Sequence, residues 1–234
     1  MVGPGMRGLL LESPPLDVFG QMALDEALAK SKPDAFCLRF FRWAGPAATF
    51  GYAQRIREVE RVLPPGAAGA VARRPTGGGV VPHLDDLTFS CVFPAEGVLK
   101  PTEHYRRLHA AIGAELRAAV PSARLAESGG HAAPRGPRGA SQCFVEPVAL
   151  DVLAATGKIL GGAIRRYGET VLYQGSLQLP DARPRAAELE AAIARALAAE
   201  WRLRWERVPA PDAVRAAAAA GEAKYRSAEW LRRF

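Results

Sequence analysis

The stretch RRPTGGGVVPHLDDLTFS, Arg73–Ser90, places two arginines before three consecutive glycines and a histidine after them. It lies between two segments with strand-like patterns, Ala70–Arg74 and Leu87–Phe93. The glycines can form a tight turn between strands, or, because they lack Cβ atoms, can let a ligand lie directly against the main chain. Neither the Walker A spacing nor the dinucleotide-binding spacing of glycines is present, which argues against a nucleotide loop of either class.

The polar side chains around the glycines have both structural and functional interpretations. His83 is either a structural hydrogen-bonding residue or a catalytic one. Adjacent residues on a strand point to opposite faces, so only one of Arg73 and Arg74 can face the glycines. For the same reason Asp85 and Asp86 are not expected to share a metal ion, and no metal site is predicted.

The composition is that of a globular protein able to bury a hydrophobic core, with 234 residues, 49% hydrophobic and 24% charged. No apolar run approaches the roughly 20 residues that cross a bilayer, and the N-terminus is a poor signal peptide. The three cysteines, Cys37, Cys91 and Cys143, are far apart and lack metal-ligand spacing. We therefore expect a cytoplasmic protein with reduced thiols and no membrane partner.

The formal net charge of +7 allows three explanations. It can reflect a nonspecific basic surface, an acidic protein partner, or nucleic acid. No aromatic-interleaved basic strip or nucleic-acid motif is present, so we expect no nucleic-acid partner. Charge alone does not choose between the other two explanations.

The hydrophobic periodicity predicts helices at the two ends and in the middle of the chain, with strands between them. Helices are predicted at Asp17–Ala29, capped by Asp17, at Thr102–Val120, capped by Thr102, and through the last third of the chain. Strands are predicted at Cys37–Trp43, 47–52, Ala70–Arg74, Leu87–Phe93, Phe144–Leu153, Lys158–Arg165 and Val171–Leu179. Gly51 indicates a turn or a close backbone approach, and the Gly/Pro/Arg-rich segment 128–141 is predicted to be a mobile loop. This order favours an α+β fold with a mostly antiparallel sheet over regular βαβ alternation.

Two further side chains are candidates for chemistry. Lys158, in TGKILGGAIRR, is either a surface lysine or a fixed ammonium that holds a phosphate or polarises a carbonyl, with Gly161 and Gly162 allowing close approach. Cys143, in SQCFVEP, is either a small hydrophobic residue or a nucleophile whose pKa is lowered by neighbouring arginines. The other two cysteines lie in apolar strand patterns and are expected in the core.

Five segments in order resemble the lipoate/biotin protein ligase and octanoyltransferase superfamily: MALDEALA, LRFFRWAGPAATFGYAQ, RRPTGGGVVPH, GKILGGAIRRYGETVLYQGSL and KYRSAEW. The resemblance covers most of the chain. It implies one catalytic domain over residues 1–234, without a full C-terminal accessory domain, in which a central mixed β-sheet packed with helices surrounds a pocket for a medium-chain acyl group. It also implies that Lys158 contacts the acyl carbonyl or acyl phosphate. The substrate-binding residues predicted for this pocket are Arg74, Gly77, Gly78, Gly79, His83 and Gly161.

Within the superfamily, the residues favour one branch without excluding the other. His83–Ser90 is closer to the H-x-D-[DE]-L-T-[YF]-S pattern of cysteine-dependent octanoyltransferases, and Cys143-Phe144 matches their Cys-Phe pair. Gly79 departs from this branch, because many such transferases have arginine there and ligases keep glycine. Gln174 before Gly175 is a second departure, since histidine-glycine is more usual.

The leading hypothesis is octanoyl or lipoyl transfer to a lysine of a lipoyl-carrier protein, either a lipoyl domain or the glycine-cleavage H protein. The expected donor is octanoyl acyl carrier protein, with Cys143 as nucleophile and Lys158 stabilising the oxyanion, and no ATP is required. Arg135 and Arg138 are candidate partner contacts. One alternative is a lipoate-protein ligase that uses ATP and Mg to form lipoyl-adenylate, and another is a non-catalytic acyl-binding or lipoyl-domain-binding protein.

Overall fold

The computed structural model describes residues 6–67, 69–95, 97, 99–127 and 147–234. The helices are α1 (Val18–Lys30), α2 (Ile56–Val59), α3 (Pro101–Leu116), α4 (Ala186–Trp201), α5 (Asp212–Arg226) and α6 (Ala228–Leu231). The strands are β1 (Arg7–Glu12), β2 (Phe36–Phe40), β3 (Ala47–Phe50), β4 (Val71–Arg73), β5 (Val81–His83), β6 (Leu87–Pro94), β7 (Arg124–Leu125), β8 (Val152–Ala154), β9 (Gly157–Tyr167), β10 (Thr170–Leu177) and β11 (Arg204–Pro209). Among these described residues, no helix combines the length and apolarity needed to span a membrane.

The strands form two sheets. The larger has eight strands in the order β11-β1-β2-β6-β10-β9-β8-β7, and the smaller has three in the order β4-β3-β5. In the larger sheet β11/β1 and β1/β2 are parallel, and the other neighbouring strands are antiparallel. The predicted α+β fold with a mixed, mostly antiparallel sheet is therefore confirmed.

The larger sheet is covered on both faces because its central strands are apolar on both. On β10, Tyr173 faces the core cluster that includes α3 and α4, whereas Leu172 faces the cluster that includes α1 and α5. On β2, Leu38 faces the cluster that includes α3 and α4, and Cys37 faces the cluster that includes α1 and α5. This follows from the two-residue alternation of side chains along a strand.

The first turns of α1 and α3 are capped in different ways. Asp17 caps α1, because its carboxylate accepts hydrogen bonds from the main-chain nitrogens of Phe19 and Gly20. The predicted Thr102 cap of α3 is wrong: the cap position is Lys100, and Pro101 occupies the first turn. Proline has the backbone angle of a first helical residue and lacks the N–H that would go unbonded there, so the helix begins at Pro101 and Thr102 lies inside it.

The last part of the chain differs from its helical prediction. Between α4 and α5 the chain forms β11, which pairs in parallel with β1 at an edge of the larger sheet. This pairing joins residues about 200 positions apart, so no local sequence pattern predicts it. The predicted strand Phe144–Leu153 lies partly outside the described residues; of its described part, only Val152 and Leu153 are in a strand, β8, and a turn precedes them.

Asp25 of α1 is completely buried and joins α1 to three strands. Its Oδ1 accepts hydrogen bonds from Arg39 Nε of β2 (3.1 Å) and from Ser90 Oγ of β6 (2.7 Å). Its Oδ2 accepts from Gln174 Nε2 of β10 (2.7 Å). Arg39 is also fully buried, so the two charges compensate each other out of contact with water.

We predict that Asp25→Asn lowers the free energy of unfolding by about 3–5 kcal/mol, because it leaves the Arg39 charge buried without a counterion. Asp212→Asn is the matched control, since it breaks the exposed ion pair with Arg215 and is expected to cost less than about 1 kcal/mol. Urea denaturation at neutral pH measures both. Equal losses in the two variants would show that Asp25 does not hold the sheet and helix together.

Candidate active site

A narrow cleft lies between α1, the smaller sheet, and strands β9 and β10. Its cavity volume is about 30 Å³, within about 390 Å³ of space between atoms that includes the open mouth. Its walls combine apolar side chains, bare glycine backbone and a few polar groups. They are Met22, Phe41, Thr49, Arg74, Val81, His83, Thr88, Gly161, Gly162, Ala163, Gln174, Gly175 and Ser176. Three predicted substrate-binding residues, Arg74, His83 and Gly161, are thus brought together in one pocket.

Two of the glycines are required by packing on the opposite face of the sheet. Gly162 of β9 and Gly175 of β10 are register partners. A Cβ on Gly162 would lie 2.5 Å from Tyr173 Cζ, and one on Gly175 would lie 2.7 Å from Tyr173 Oη. The Tyr173 ring therefore occupies the space that side chains at this pair would take, on the face of the sheet away from the pocket.

The triple-glycine segment Gly77–Gly79 lies beside the pocket rather than among its wall residues. Gly77 and Gly78 are exposed and Gly79 is buried. Gly78 has a positive φ of 91°, which favours glycine, and its Cβ position lies 3.9 Å from the wall residue Ala163. A Cβ on Gly51 would overlap the Gly78 carbonyl oxygen, so the predicted close backbone approach at Gly51 is confirmed.

Arg74 holds this segment in its turn. Its Nη2 donates to the carbonyl oxygens of Gly77 (2.8 Å) and Gly79 (2.9 Å), and its Nη1 donates to Thr49 Oγ1 (2.8 Å). Arg73 points the other way and donates to four main-chain carbonyls in the 52–54 turn and in α6. The prediction that only one of the two arginines faces the glycines is confirmed.

His83 connects a buried acid to the Arg74 network. Its Nδ1 donates to Asp86 Oδ2 (2.9 Å), its Nε2 is 2.8 Å from Thr49 Oγ1, and its ring stacks on Trp43. Burial acts to raise the pKa of Asp86, but the charge of His83 and hydrogen bonds from His83 and other neighbours outweigh it and lower this pKa. His83 therefore acts at least as a structural link from Asp86 through Thr49 to the glycine turn.

Lys158 is buried, so the surface interpretation of this residue is wrong. Its Nζ lies 2.9 Å from Asp151 Oδ2, and its side chain is 2% exposed. Asp151 Oδ1 also accepts a hydrogen bond from Tyr105 Oη (2.7 Å), and Tyr105 Oη accepts one from Gly162 N (3.2 Å). This chain of contacts ties the ammonium to the pocket backbone at Gly162. Contact of Lys158 with an acyl carbonyl stays a prediction.

His109 of α3 is a buried residue that the sequence analysis did not single out. Its Nε2 is hydrogen bonded to Tyr173 Oη (2.8 Å), and its ring stacks on Tyr105 at 3.9 Å between centroids. Burial, and then the charge of Lys158, lower the pKa of His109 from its ordinary value of 6.5 to about 3. The imidazole is neutral at physiological pH. Its position four residues after Tyr105, on the apolar face of the predicted helix, was the available signal.

Gln174 was noted only as a departure from the family pattern, yet it is central to the site. Its Nε2 donates to Asp25, and its Oε1 accepts a hydrogen bond from Thr76 Oγ1 (2.7 Å), the residue before the three glycines. The Asp25 network of α1 thus reaches the glycine turn through one side chain. The acid within the apolar run MALDEALA was the signal for Asp25.

The predicted nucleophile Cys143 and the partner candidates Arg135 and Arg138 lie outside the described residues. Cys37 and Cys91 are buried, as expected of core residues. Burial raises the pKa of Cys37 to about 12 and raises that of Cys91 well above its ordinary value, so neither thiol ionises near neutral pH. Within the described part of the chain, no group of three or more His, Cys, Asp or Glu side chains could hold a metal ion.

Residues 17–196 match the family described as the lipoyl protein ligase A/B catalytic domain. The chain belongs to this family. An octanoyltransferase LipM of Moorella thermoacetica is 30% identical over 188 residues, which cover 75% of this chain and 66% of that relative. Matches to further octanoyltransferases LipM cover 60% of their lengths, so the chain spans about two thirds or less of these curated relatives.

Solved structures of lipoate-protein ligases share the fold of this family member. A lipoate-protein ligase A bound with ATP matches with a TM-score of 0.75 and 25% identity, over 97% of this chain and 99% of that one. A bi-partite lipoate protein ligase from Thermoplasma acidophilum, described with its E2 lipoyl domain, matches with a TM-score of 0.70 and 22% identity. The latter covers 97% of this chain and 96% of its own.

We predict that stability falls with acidification because of His109. The unfolded chain protonates this imidazole near pH 6.5, whereas the folded protein resists protonation down to about pH 3, so stability present above pH 6.5 is lost as the pH falls through this window. Between pH 7 and pH 5 the loss is about 2 kcal/mol. Urea denaturation at both pH values should show that His109→Gln loses about 2 kcal/mol less unfolding free energy than the unchanged protein. The glutamine keeps an amide donor for Tyr173. Identical pH dependence in the two proteins would contradict the neutral, buried assignment.

We predict that Gly51→Ala destabilises the protein or displaces the glycine turn, because its Cβ would overlap main-chain atoms of Gly77 and Gly78. A loss of about 1–3 kcal/mol is expected. Gly77→Ala is the matched control, since a Cβ there meets no atom within 4 Å and its φ is not in the left-handed range, and it should change stability by less than about 0.5 kcal/mol. Thermal denaturation of both variants measures the difference, and a destabilised Gly77→Ala protein would mean that the turn is packed differently.

Proposed function

We propose that the protein transfers an octanoyl or lipoyl group to a lysine of a lipoyl-carrier protein, through an acyl-enzyme formed on Cys143. Octanoyl acyl carrier protein is the proposed donor, and a lipoyl domain or the glycine-cleavage H protein is the proposed acceptor. The reaction needs no ATP, because the thioester donor is already activated. The cytoplasm is the proposed location, since the nucleophile must remain a reduced thiol.

The pocket between α1 and strands β9 and β10 is the observation that carries this proposal. Met22, Phe41, Val81 and Ala163 supply an apolar surface, and paired glycines expose main chain between them. An unbranched acyl chain is narrow and apolar, so it suits this apolar slot, which must widen from its cavity volume of about 30 Å³ to admit eight carbons. The buried side chains of the Arg74 network close one side of this slot with satisfied polar groups.

The first step forms a thioester on the enzyme. The Cys143 thiolate attacks the carbonyl carbon of the donor thioester, and the tetrahedral intermediate expels the donor thiolate, which takes up the proton that Cys143 lost. In the second step the neutral lysine amine of the acceptor attacks the acyl-cysteine carbonyl. Cys143 then leaves as thiolate, and the amine proton returns to it. The products are an amide and a free enzyme thiol.

Lys158 is the proposed stabiliser of the negative oxygen in both intermediates. Its ammonium is out of bulk water, is oriented by Asp151 and lies near the Gly162 backbone on the α3 side of the sheet, so this role requires the reacting carbonyl to reach that strand. Asp151 also accepts a hydrogen bond from Val148 N (2.7 Å). The same carboxylate thus orients the lysine and braces the chain five residues after Cys143, where the described structure resumes.

The named relatives support this assignment. Octanoyltransferases LipM are 30–34% identical to the chain over their matched regions. The sequence form of His83–Ser90 and the Cys143-Phe144 pair point to the same branch. Since the matches span about two thirds or less of these relatives, the activity and both partner proteins are proposed for this chain on that combined basis.

A second candidate function is ATP-dependent lipoate-protein ligation. It is favoured by the fold match to an ATP-bound lipoate-protein ligase A at 25% identity and by the glycine at position 79. In that reaction Lys158 would contact the acyl phosphate of lipoyl-adenylate, and Cys143 would take no part. Release of pyrophosphate after addition of lipoate and Mg-ATP, without any donor thioester, would identify the ligase.

Intact-mass analysis after incubation with octanoyl acyl carrier protein, in the absence of ATP, tests the transferase. We expect a gain of one octanoyl group, released by hydroxylamine as a thioester and absent from Cys143→Ser under the same conditions. Cys37→Ala is the matched control for removing a thiol, and it should keep the adduct because Cys37 is buried. Full transfer activity in Cys143→Ser would refute the assigned nucleophile.

A further inference from the structure

Arginine charges are distributed differently on two sides of the protein. On the surface of α3 and α4 they are neutralised by glutamates, as in Arg107–Glu200 (2.7 Å) and Arg195–Glu115 (2.8 Å). Beside the glycine turn, Arg165 and Arg233 form no ion pair with any residue that the structure describes; their contacts are with aromatic rings and one carbonyl. These two positive charges beside the glycine turn are therefore unpaired within the part of the chain that the structure describes.

These two arginines share one aromatic ring. The guanidinium carbons of Arg165 and Arg233 lie 5.0 Å and 5.2 Å from the ring centroid of Tyr52. The ring of Phe234, which is 52% exposed, is 5.5 Å from that of Tyr52. We name the surface formed by Tyr52, Arg165, Arg233 and Phe234 the Tyr52 patch.

The Tyr52 patch borders the glycine turn directly. Arg165 Nη1 donates to the Pro75 carbonyl (2.8 Å), and Tyr52 N donates to the Thr76 carbonyl (2.8 Å). Immediately beyond these residues, Gly77 and Gly78 are exposed, and a Cβ on Gly77 would meet no atom within 4 Å. A strip of open main chain thus runs from the patch toward the pocket wall at Ala163.

Two cations held near one ring create a local positive potential. Contact with the ring offsets their repulsion by about 0.5–1 kcal/mol for each arginine. It does not neutralise the two charges, so an approaching partner still experiences a positive potential. The field also acts inward: burial, and then the charge of Arg233, lower the pKa of the buried Arg73. Surface charge without an internal counterion speeds and orients the approach of a partner of opposite charge.

We infer that the Tyr52 patch is the docking surface for the acceptor, an acidic lipoyl domain that presents its target lysine to the pocket. This inference rests on the proposed function. The acceptor is the more suitable occupant of this patch. A lysine side chain is only a few ångströms long, so the domain that carries it must bind at the pocket mouth. A donor delivers its acyl group on a long flexible arm and can dock farther away. The aromatic rings of Tyr52 and Phe234 supply the apolar contact typical of such interfaces.

Binding of an unmodified lipoyl domain, measured by calorimetric titration, tests this surface. We expect Arg233→Glu to weaken binding at least threefold and Arg165→Glu/Arg233→Glu at least tenfold. The matched control is Arg204→Glu/Arg207→Glu on β11, which makes the same change in net charge at exposed arginines on a sheet edge and should weaken binding less than twofold. Arg233→Glu should also form the acyl-enzyme from a small octanoyl thioester at the wild-type rate.

The other possible results of these measurements each support or overturn the assigned docking surface. Equal weakening by the control would show diffuse charge attraction and overturn the assigned surface. Weaker binding of octanoyl acyl carrier protein, with unchanged lipoyl-domain binding, would make the patch a donor surface. If the double variant misfolds, Arg233→Glu decides alone, since Arg233 is exposed and, among the described residues, its contacts are with aromatic rings. Patch-dependent lipoyl-domain binding by a wild-type protein that forms no acyl-enzyme would keep the docking surface and refute the proposed transfer.

Discussion

A carboxylate removed from water needs a counter-charge and hydrogen-bond donors, and Asp25 obtains them from three different strands. Arg39 supplies the charge, and Ser90 and Gln174 supply further donors. This requirement fixes how α1 lies across the sheet, because a shift of either would leave a buried charge unpaired. Gln174 also accepts a hydrogen bond from Thr76, so the same network holds the start of the glycine turn. The position of the glycine turn is therefore linked to a helix that contributes one side chain, Met22, to the pocket wall.

The two faces of β9 and β10 have separate tasks. On one face, Tyr173 fills the space opposite Gly162 and Gly175, and His109 holds its hydroxyl in a region where the imidazole stays neutral. On the other face, Gly161 and Ala163 of β9 and Ser176 of β10 border the pocket. Alternation along the strands thus puts the large Tyr173 ring on one face and small residues on the other.

The polar groups near the pocket form two separate chains of contacts. One leads from Asp86 through His83 and Thr49 to Arg74, and it ends on the carbonyls of the glycine turn. The other leads from Lys158 through Asp151 and Tyr105 to the backbone of Gly162, on the opposite face of the sheet. The first shapes the mouth of the pocket, and the second orients a buried cation. Each set of polar groups is paired mainly within itself, although Asp86 Oδ1 is buried without a hydrogen-bond partner among the described residues.

The sequence by itself determined the elements whose signals are local: the Asp17 cap, the apolar strands, the glycine turn, and the choice between Arg73 and Arg74 that follows from strand alternation. The ordered family segments also determined the fold class. Only the tertiary structure decided that Lys158 is buried against Asp151, that β11 pairs with β1, and that Gln174 joins Asp25 to the turn. The reason is physical: a buried polar group is specified by partners that are distant in the chain, and periodicity carries no information about which distant residues will meet.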